Sequence, residues 1–154
     1  MNFIYKAFVT VFGSGYSPVA PGTCGALVAC GMLWLFEKYD ILSTTSTPLI
    51  FIGSIVVITI MGIIATNKLE AEWGEDPSKV VVDELIGMWI TMLFIPLTWT
   101  TLLIGFILFR FFDIVKPLGI RKMEDLGGGI GVMADDMLAG IYANICMIII
   151  IRFL

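Results

Sequence analysis

Four intervals of this chain contain no aspartate, glutamate, lysine or arginine: Ala7–Phe36, Ile41–Asn67, Leu85–Phe109 and Met137–Ile151. A helix needs roughly 20 apolar residues to cross about 30 Å of hydrocarbon, and the second and third intervals are long enough. The fourth reaches that length only by including Arg152, whose guanidinium can snorkel to the interface. Hydrophobic residues make up 58% and charged residues 14% of the chain, and the mean hydropathy of +0.99 lies well outside the soluble range. The pattern predicts an all-α, polytopic membrane protein, a single domain over residues 1–154 with about four to five membrane-embedded helices.

The same sequence removes several classes of function. It has no basic run, so nucleic acid is not an expected partner. It has no histidine, which excludes Ser-His and Cys-His catalysis. Cys24, Cys30 and Cys146 are an odd set in apolar segments with no metal-ligand spacing, and read as small buried apolar side chains. Near the N-terminus only Ala7–Phe12 is unbroken and apolar, too short for a signal peptide, so this segment is expected to stay with the mature chain.

In chain order, Met1–Phe12 predicts a short interfacial helix with Lys6 at the headgroups. Gly13–Thr23 holds prolines and glycines that forbid a regular helix, and reads either as a connector or as an anion-holding loop through Ser14, Ser17, Thr23 and its backbone N–H groups. Cys24–Phe36 predicts a short apolar helix. Leu49–Thr66 is the clearest transmembrane helix, with Pro48 suited to its first turn and Asn67–Trp73 continuing it, and Glu75–Ser78 follows as a turn. Asp83 and Glu84 stand at the start of the third uncharged interval. Asp135 and Asp136 stand before the last span, Met137–Arg152, as a second carboxylate pair at a helix start. Gly31, Gly53 and Gly62 are places for close helix packing.

Pro96 either kinks one long helix or turns a helical hairpin within Leu85–Phe109. With a hairpin, Lys6, Lys68, Lys79, Arg110, Lys116, Arg121 and Lys122 share one side of the membrane, leaving Lys38 and Arg152 opposite. A single kinked span divides the basic residues about evenly. The positive-inside rule therefore favours a hairpin broken at Pro96, with short, partly submerged arms. That topology gathers the Gly13–Thr23 loop, Asp83-Glu84, Arg110–Lys116 and Asp135-Asp136 on one face.

Arg110–Asp136 alone carries nine of the chain's 22 charged residues. Such a concentration beside apolar runs is tolerated only in water, in pairs, or around a ligand. Arg110, Asp113 and Lys116, spaced three apart, share a broad helix face that Pro117 should end; an Arg110–Asp113 ion pair would explain two of them without any function. Gly127-Gly128-Gly129-Ile130-Gly131 lacks the Lys-Ser or Lys-Thr of a phosphate loop and reads as a flexible turn. Taken together the groups say more. Asp83, Glu84, Asp113, Asp135 and Asp136 are hard oxygen ligands suited to Mg²⁺. Arg110, Lys116 and Arg121 are phosphate donors. Metal carboxylates beside phosphate-binding cations in a membrane point to phosphoryl chemistry on a lipid head group. The other reading is a small ion carrier or channel using membrane-face carboxylates, which would need charges spread through the bilayer depth.

Four blocks carry a resemblance to a known family: Gly13–Gly25 (GSGYSPVAPGTCG), Val81–Ile90 (VVDELIGMWI), Phe109–Arg121 (FRFFDIVKPLGIR) and Gly128–Gly140 (GGIGVMADDMLAG). In that order they closely resemble phosphatidylglycerophosphatase A, an inner-membrane enzyme of bacteria. The resemblance implies Mg²⁺-dependent hydrolysis of the terminal phosphate of phosphatidylglycerophosphate to phosphatidylglycerol and phosphate, at a site facing the cytoplasm. It implies that Asp83, Glu84, Asp113, Asp135 and Asp136 hold the metal, with Asp83, Glu84, Asp113 and Asp136 catalytic. Arg110, Lys116 and Arg121, aided by Ser14, Ser17 and Thr23, would take the phosphate. Lys122–Gly127 falls in a segment that varies in the family, so Glu124 and Asp125 stand outside the expected site. Direct attack by water and a phospho-aspartate intermediate remain equally open at this level.

Overall fold

The computed structural model describes residues 2–74 and 77–153; Glu75 and Asp76 of the expected turn lie outside the described residues. Among the described residues the regular structure is entirely helical, as the sequence predicts: α1 (Asn2–Val9), α2 (Pro21–Lys38), α3 (Pro48–Trp73), α4 (Val82–Thr91), α5 (Trp99–Val115), α6 (Arg121–Glu124) and α7 (Gly128–Ile150). A single 3-10 turn, Ser14–Tyr16, lies in the Gly- and Pro-rich loop after α1.

Prolines set several of the boundaries. Pro21 and Pro48 occupy the first turns of α2 and α3, where a missing N–H costs nothing. Lys116 adopts a left-handed conformation (φ 49°) and closes α5 immediately before Pro117. α2 begins at Pro21 and runs to Lys38, longer at both ends than the Cys24–Phe36 helix expected from the sequence.

α3 and α7 are long and apolar enough to cross a membrane. Their outer faces stay apolar: Val56, Ile60 and Ile64 on α3 and Ile141, Ile145 and Ile149 on α7 are each about half exposed at four-residue spacing. Leu103, Ile107 and Phe111 continue that surface on α5. An apolar surface of this extent marks a face that meets lipid or protein.

α4 is the core of the bundle. It has 10 residues, about 15 Å of helix, and all except Glu84 are buried. It packs among α2, α3, α5 and α7. Its closest neighbour is α7, where Gly87 and Gly140 meet: a Cβ on Gly87 would come within 2.8 Å of the Asp136 carbonyl, and one on Gly140 would strike the Gly87 backbone. That glycine contact brings Asp136 beside the first turn of α4.

Between α4 and α5 the chain reverses, so the interval Leu85–Phe109 is a helical hairpin and Pro96 lies in its turn. The open backbone there is satisfied by side chains from elsewhere. Asn144 Nδ2 donates to the carbonyls of Thr91 (3.0 Å) and Leu93 (2.8 Å), and Thr44 Oγ1 donates to the carbonyl of Ile95 (2.8 Å). Thr98 and Thr101 form a reciprocal capping box that starts α5.

The start of α7 differs from expectation. The glycine run is not a flexible turn preceding a helix at Met137; the helix begins at Gly128, and Asp135 and Asp136 lie about two turns inside it. Close packing on α3 explains the glycines, since a Cβ on Gly129 would lie 2.6 Å from the Ile63 carbonyl. The Gly129 N–H donates to Asn67 Oδ1 (2.6 Å), satisfying one of the free donors of the first turn. Gly62 also packs closely, against Met133, whereas Gly31 and Gly53 face open space.

Candidate active site

One end of the bundle collects the first turns of α2 and α4, the last turns of α5, and the N-terminal third of α7. Asp83 and Glu84, in the first turn of α4, place their carboxylates where four unpaired backbone N–H groups favour negative charge. One carboxylate oxygen each from Asp83, Glu84 and Asp136 lies within 4.8 Å of the others, a spacing that a single cation can bridge. Asp83 and Asp136 are buried and Glu84 is nearly so.

The two remaining carboxylates expected at the metal have cationic partners. Asp113 pairs with Arg110 (Oδ2 to Nη1, 2.6 Å), and the same Arg110 nitrogen lies 4.0 Å from Glu84 Oε1. Asp113 also neighbours Asp136, so it borders the three-acid cluster through α5. Asp135 accepts from Lys116 Nζ (2.5 Å), which also donates to Glu124 Oε1 (2.5 Å). Burial disfavours the Lys116 ammonium, but its bonds to Asp135 and Glu124 outweigh that and raise it above lysine's ordinary value. Its left-handed backbone turns the side chain from the end of α5 towards both acids.

The loop residues are placed less centrally. Ser14 Oγ donates to the Thr10 carbonyl and Ser17 Oγ to the Val19 carbonyl, so both hydroxyl protons are engaged. Thr23 is half-buried in the first turn of α2, next to Gly22, where an added Cβ would strike Glu84 Oε1. Arg121 is exposed at the start of α6.

Two contributors escaped the sequence reading. Glu124 shares Lys116 with Asp135, eight residues from its partner across the Pro117-Leu118-Gly119 turn, and no periodicity links the two. Gly22 lets the α2 backbone close over Glu84; its only signal was its place in the loop.

A cation at the cluster fits these residues. Asp83 Oδ1 and Glu84 Oε2 are buried without a hydrogen-bond partner, as are Asp135 Oδ1 and Arg110 Nε. Buried polar groups are nearly always paired, and orphaned carboxylate oxygens around a shared point call for a positive ligand. The donor set is all oxygen, the chemistry of a hard divalent ion. The unpaired guanidinium nitrogen beside it is suited to an anion.

Comparison with known proteins gives the family. The family model for phosphatidylglycerophosphatase A matches residues 7–151. This chain belongs to the phosphatidylglycerophosphatase A family. It is 36% identical to phosphatidylglycerophosphatase A of Escherichia coli, over 84% of this chain and 73% of that protein, and 38% identical to the Haemophilus influenzae protein of the same name, over 87% and 80%. A Bacteroides thetaiotaomicron protein, provisionally named a phosphatidylinositol-3-phosphatase, is 52% identical over 94% of this chain and 91% of its own length. No solved structure matches the chain. Family membership makes the protein a phosphatase, and the cluster of acids with Arg110 lies within the matched residues.

Proposed function

We propose that the protein hydrolyses the terminal phosphomonoester of phosphatidylglycerophosphate, releasing phosphatidylglycerol and phosphate, with Mg²⁺ held by Asp83, Glu84 and Asp136. The observation that carries this reading is the pair of orphaned buried oxygens, Asp83 Oδ1 and Glu84 Oε2, in an acid cluster whose Glu84 lies 4.0 Å through Oε1 from the Arg110 guanidinium. Mg²⁺ bound there would offset phosphoryl charge and lower the pKa of a bound water. Arg110 grips phosphate oxygens, oriented by Asp113. Lys116, held by Asp135 and Glu124, keeps a fixed positive charge at the mouth of the site, and Arg121 adds an exposed one. The first turn of α2, with Thr23, offers backbone N–H groups to the departing phosphate, and Ser14 and Ser17 shape the loop before it.

The reading also places the protein in the bacterial inner membrane. α3 and α7 cross it, while α2 and the α4–α5 hairpin are embedded, giving four to five membrane helices. The hairpin turn supports this, since its freed carbonyls are capped by Asn144 and Thr44, as lipid-level backbone requires. Basic residues concentrate at the acid-lined end, with Lys38 and Arg152 at the other, and this supports a site facing the cytoplasm.

A second substrate is favoured by one finding, the 52% identity to the Bacteroides protein named for phosphatidylinositol 3-phosphate. Both lipids carry a phosphomonoester, and the same acids and Arg110 would serve either. Phosphate release from the two lipids, measured side by side in mixed micelles with Mg²⁺, separates them. The proposal expects kcat/KM to be higher for phosphatidylglycerophosphate; a higher value for phosphatidylinositol 3-phosphate would replace the substrate and keep the site.

A further inference from the structure

A groove of about 340 Å³ runs down the outside of the bundle between α2 and α5, lined by Leu27, Gly31, Trp34, Trp99, Leu103 and Phe106. Its upper end lies about a helical turn from site residues on both walls. Phe106 lies one helical turn from Arg110, and Leu27 follows Gly22, the residue packed on Glu84, by little more than a turn. Its lower end is lined by Trp34 and Trp99, whose rings meet at a tilt of 31° with centroids 5.3 Å apart. From Arg110 to Trp99 is 11 residues of α5, about 16 Å, close to the ~15 Å depth of one leaflet's hydrocarbon. The groove walls carry almost no polar atoms.

We propose that this groove holds an acyl chain of the lipid substrate, fixing its phosphate against Arg110; the inference rests on the lipid-phosphatase reading. A phosphate gripped by Arg110 leaves the lipid's chains to descend along the helix that carries Arg110, and the α2–α5 groove is an apolar channel that begins one turn down that helix, at Phe106. A second apolar cavity, beneath α1, takes no residue from α5. The Trp34–Trp99 pair sets the depth to which a chain can be received in line with the site.

Gly31 makes the proposal testable, because it lines the groove and a Cβ there meets nothing within 4 Å, so side chains of graded size can be built out from it. Gly53 on α3 is equally open but lies outside the groove, and serves as the control. The experiment measures phosphate release from long-chain and short-chain forms of the same lipid phosphate in detergent, for the unmodified protein, the graded series Gly31→Ala, Gly31→Leu and Gly31→Phe, and Gly53→Phe. The expected result is a stepwise fall in the ratio of kcat/KM for long over short chains, reaching about tenfold at Gly31→Phe, the scale of discrimination by an apolar pocket, with the ratio unchanged in Gly53→Phe. A ratio unchanged through the Gly31 series overturns the proposal and assigns the groove to bulk lipid or to a second copy of the chain. If the unmodified protein releases phosphate from neither form, the lipid-phosphatase reading fails instead.

Discussion

The two ends of the α4–α5 hairpin treat buried polar groups in opposite ways. At the turn, the freed carbonyls of Thr91, Leu93 and Ile95 are met by Asn144 and Thr44, and α5 starts on a reciprocal threonine cap. At the other end, Asp83, Glu84, Arg110 and Asp135 each keep a buried polar atom without a partner. Both sets of groups are buried among helices, so burial by itself does not separate them. At the turn the polar groups close on one another; at the acid end ionisable groups stay open, an arrangement that the proposed metal and phosphate would complete.

The contrast breaks most decisively at the acids. Asp83→Asn and Asp136→Asn each remove one carboxylate charge with little change of shape, and each should lower phosphate release at least about 100-fold, the scale of losing a preorganised electrostatic partner. Their thermal midpoints should stay level or rise, because three crowded carboxylates repel. Near-normal turnover in either variant would remove that residue from the site.

Asn144→Ala should do the reverse. It leaves the Thr91 and Leu93 carbonyls without their side-chain donor. A buried acceptor left unmet costs about 1–3 kcal/mol, so the midpoint in detergent should fall by several degrees, about 2–4 °C per kcal/mol, while kcat per folded molecule holds. Loss of kcat without loss of stability would mean that the turn belongs to the chemistry.

Smaller effects sharpen the comparison. Arg110→Lys keeps a cation near Glu84 and Asp113 but loses the planar fork, and KM for the lipid phosphate should rise about tenfold with folding intact. An unchanged KM would leave Arg110 as a counter-ion to the acids and nothing more. Lys6→Gln breaks the part-exposed pair with Glu72 that fastens α1 to the end of α3, and should shift stability by no more than about 0.5 kcal/mol and leave activity unaltered.

Much of this arrangement was legible in the residues because membrane folding leaves coarse marks. The uncharged intervals located the long helices, Pro48 and Pro117 marked helix ends, and the uneven distribution of lysine and arginine chose a hairpin at Pro96 over a kink. What escaped were features decided by contact at a distance. The glycines from Gly127 to Gly131 read as a turn because glycine disfavours helix, yet the fit of Gly129 against Ile63 makes them the start of α7. That shift moves Asp136 from a helix start to the interior of the bundle. Spacing likewise could not divide the five acids. Asp83, Glu84 and Asp136 converge, while Asp113 and Asp135 face Arg110 and Lys116, a partition set by how α5 and α7 cross α4. Glu124 had no local pattern to betray it, because its partner lies across a turn.

A divalent-cation site at Asp83, Glu84 and Asp136 that hydrolyses a lipid phosphomonoester must lose its activity with its metal. The most direct test is phosphate release from phosphatidylglycerophosphate by the purified protein, first with Mg²⁺, then after exhaustive removal of metal with EDTA, then with Mg²⁺ restored. The expected sequence is activity, its loss, and its recovery, with Asp83→Asn inactive throughout; full turnover in the metal-free protein would rule out a metal role for the three acids.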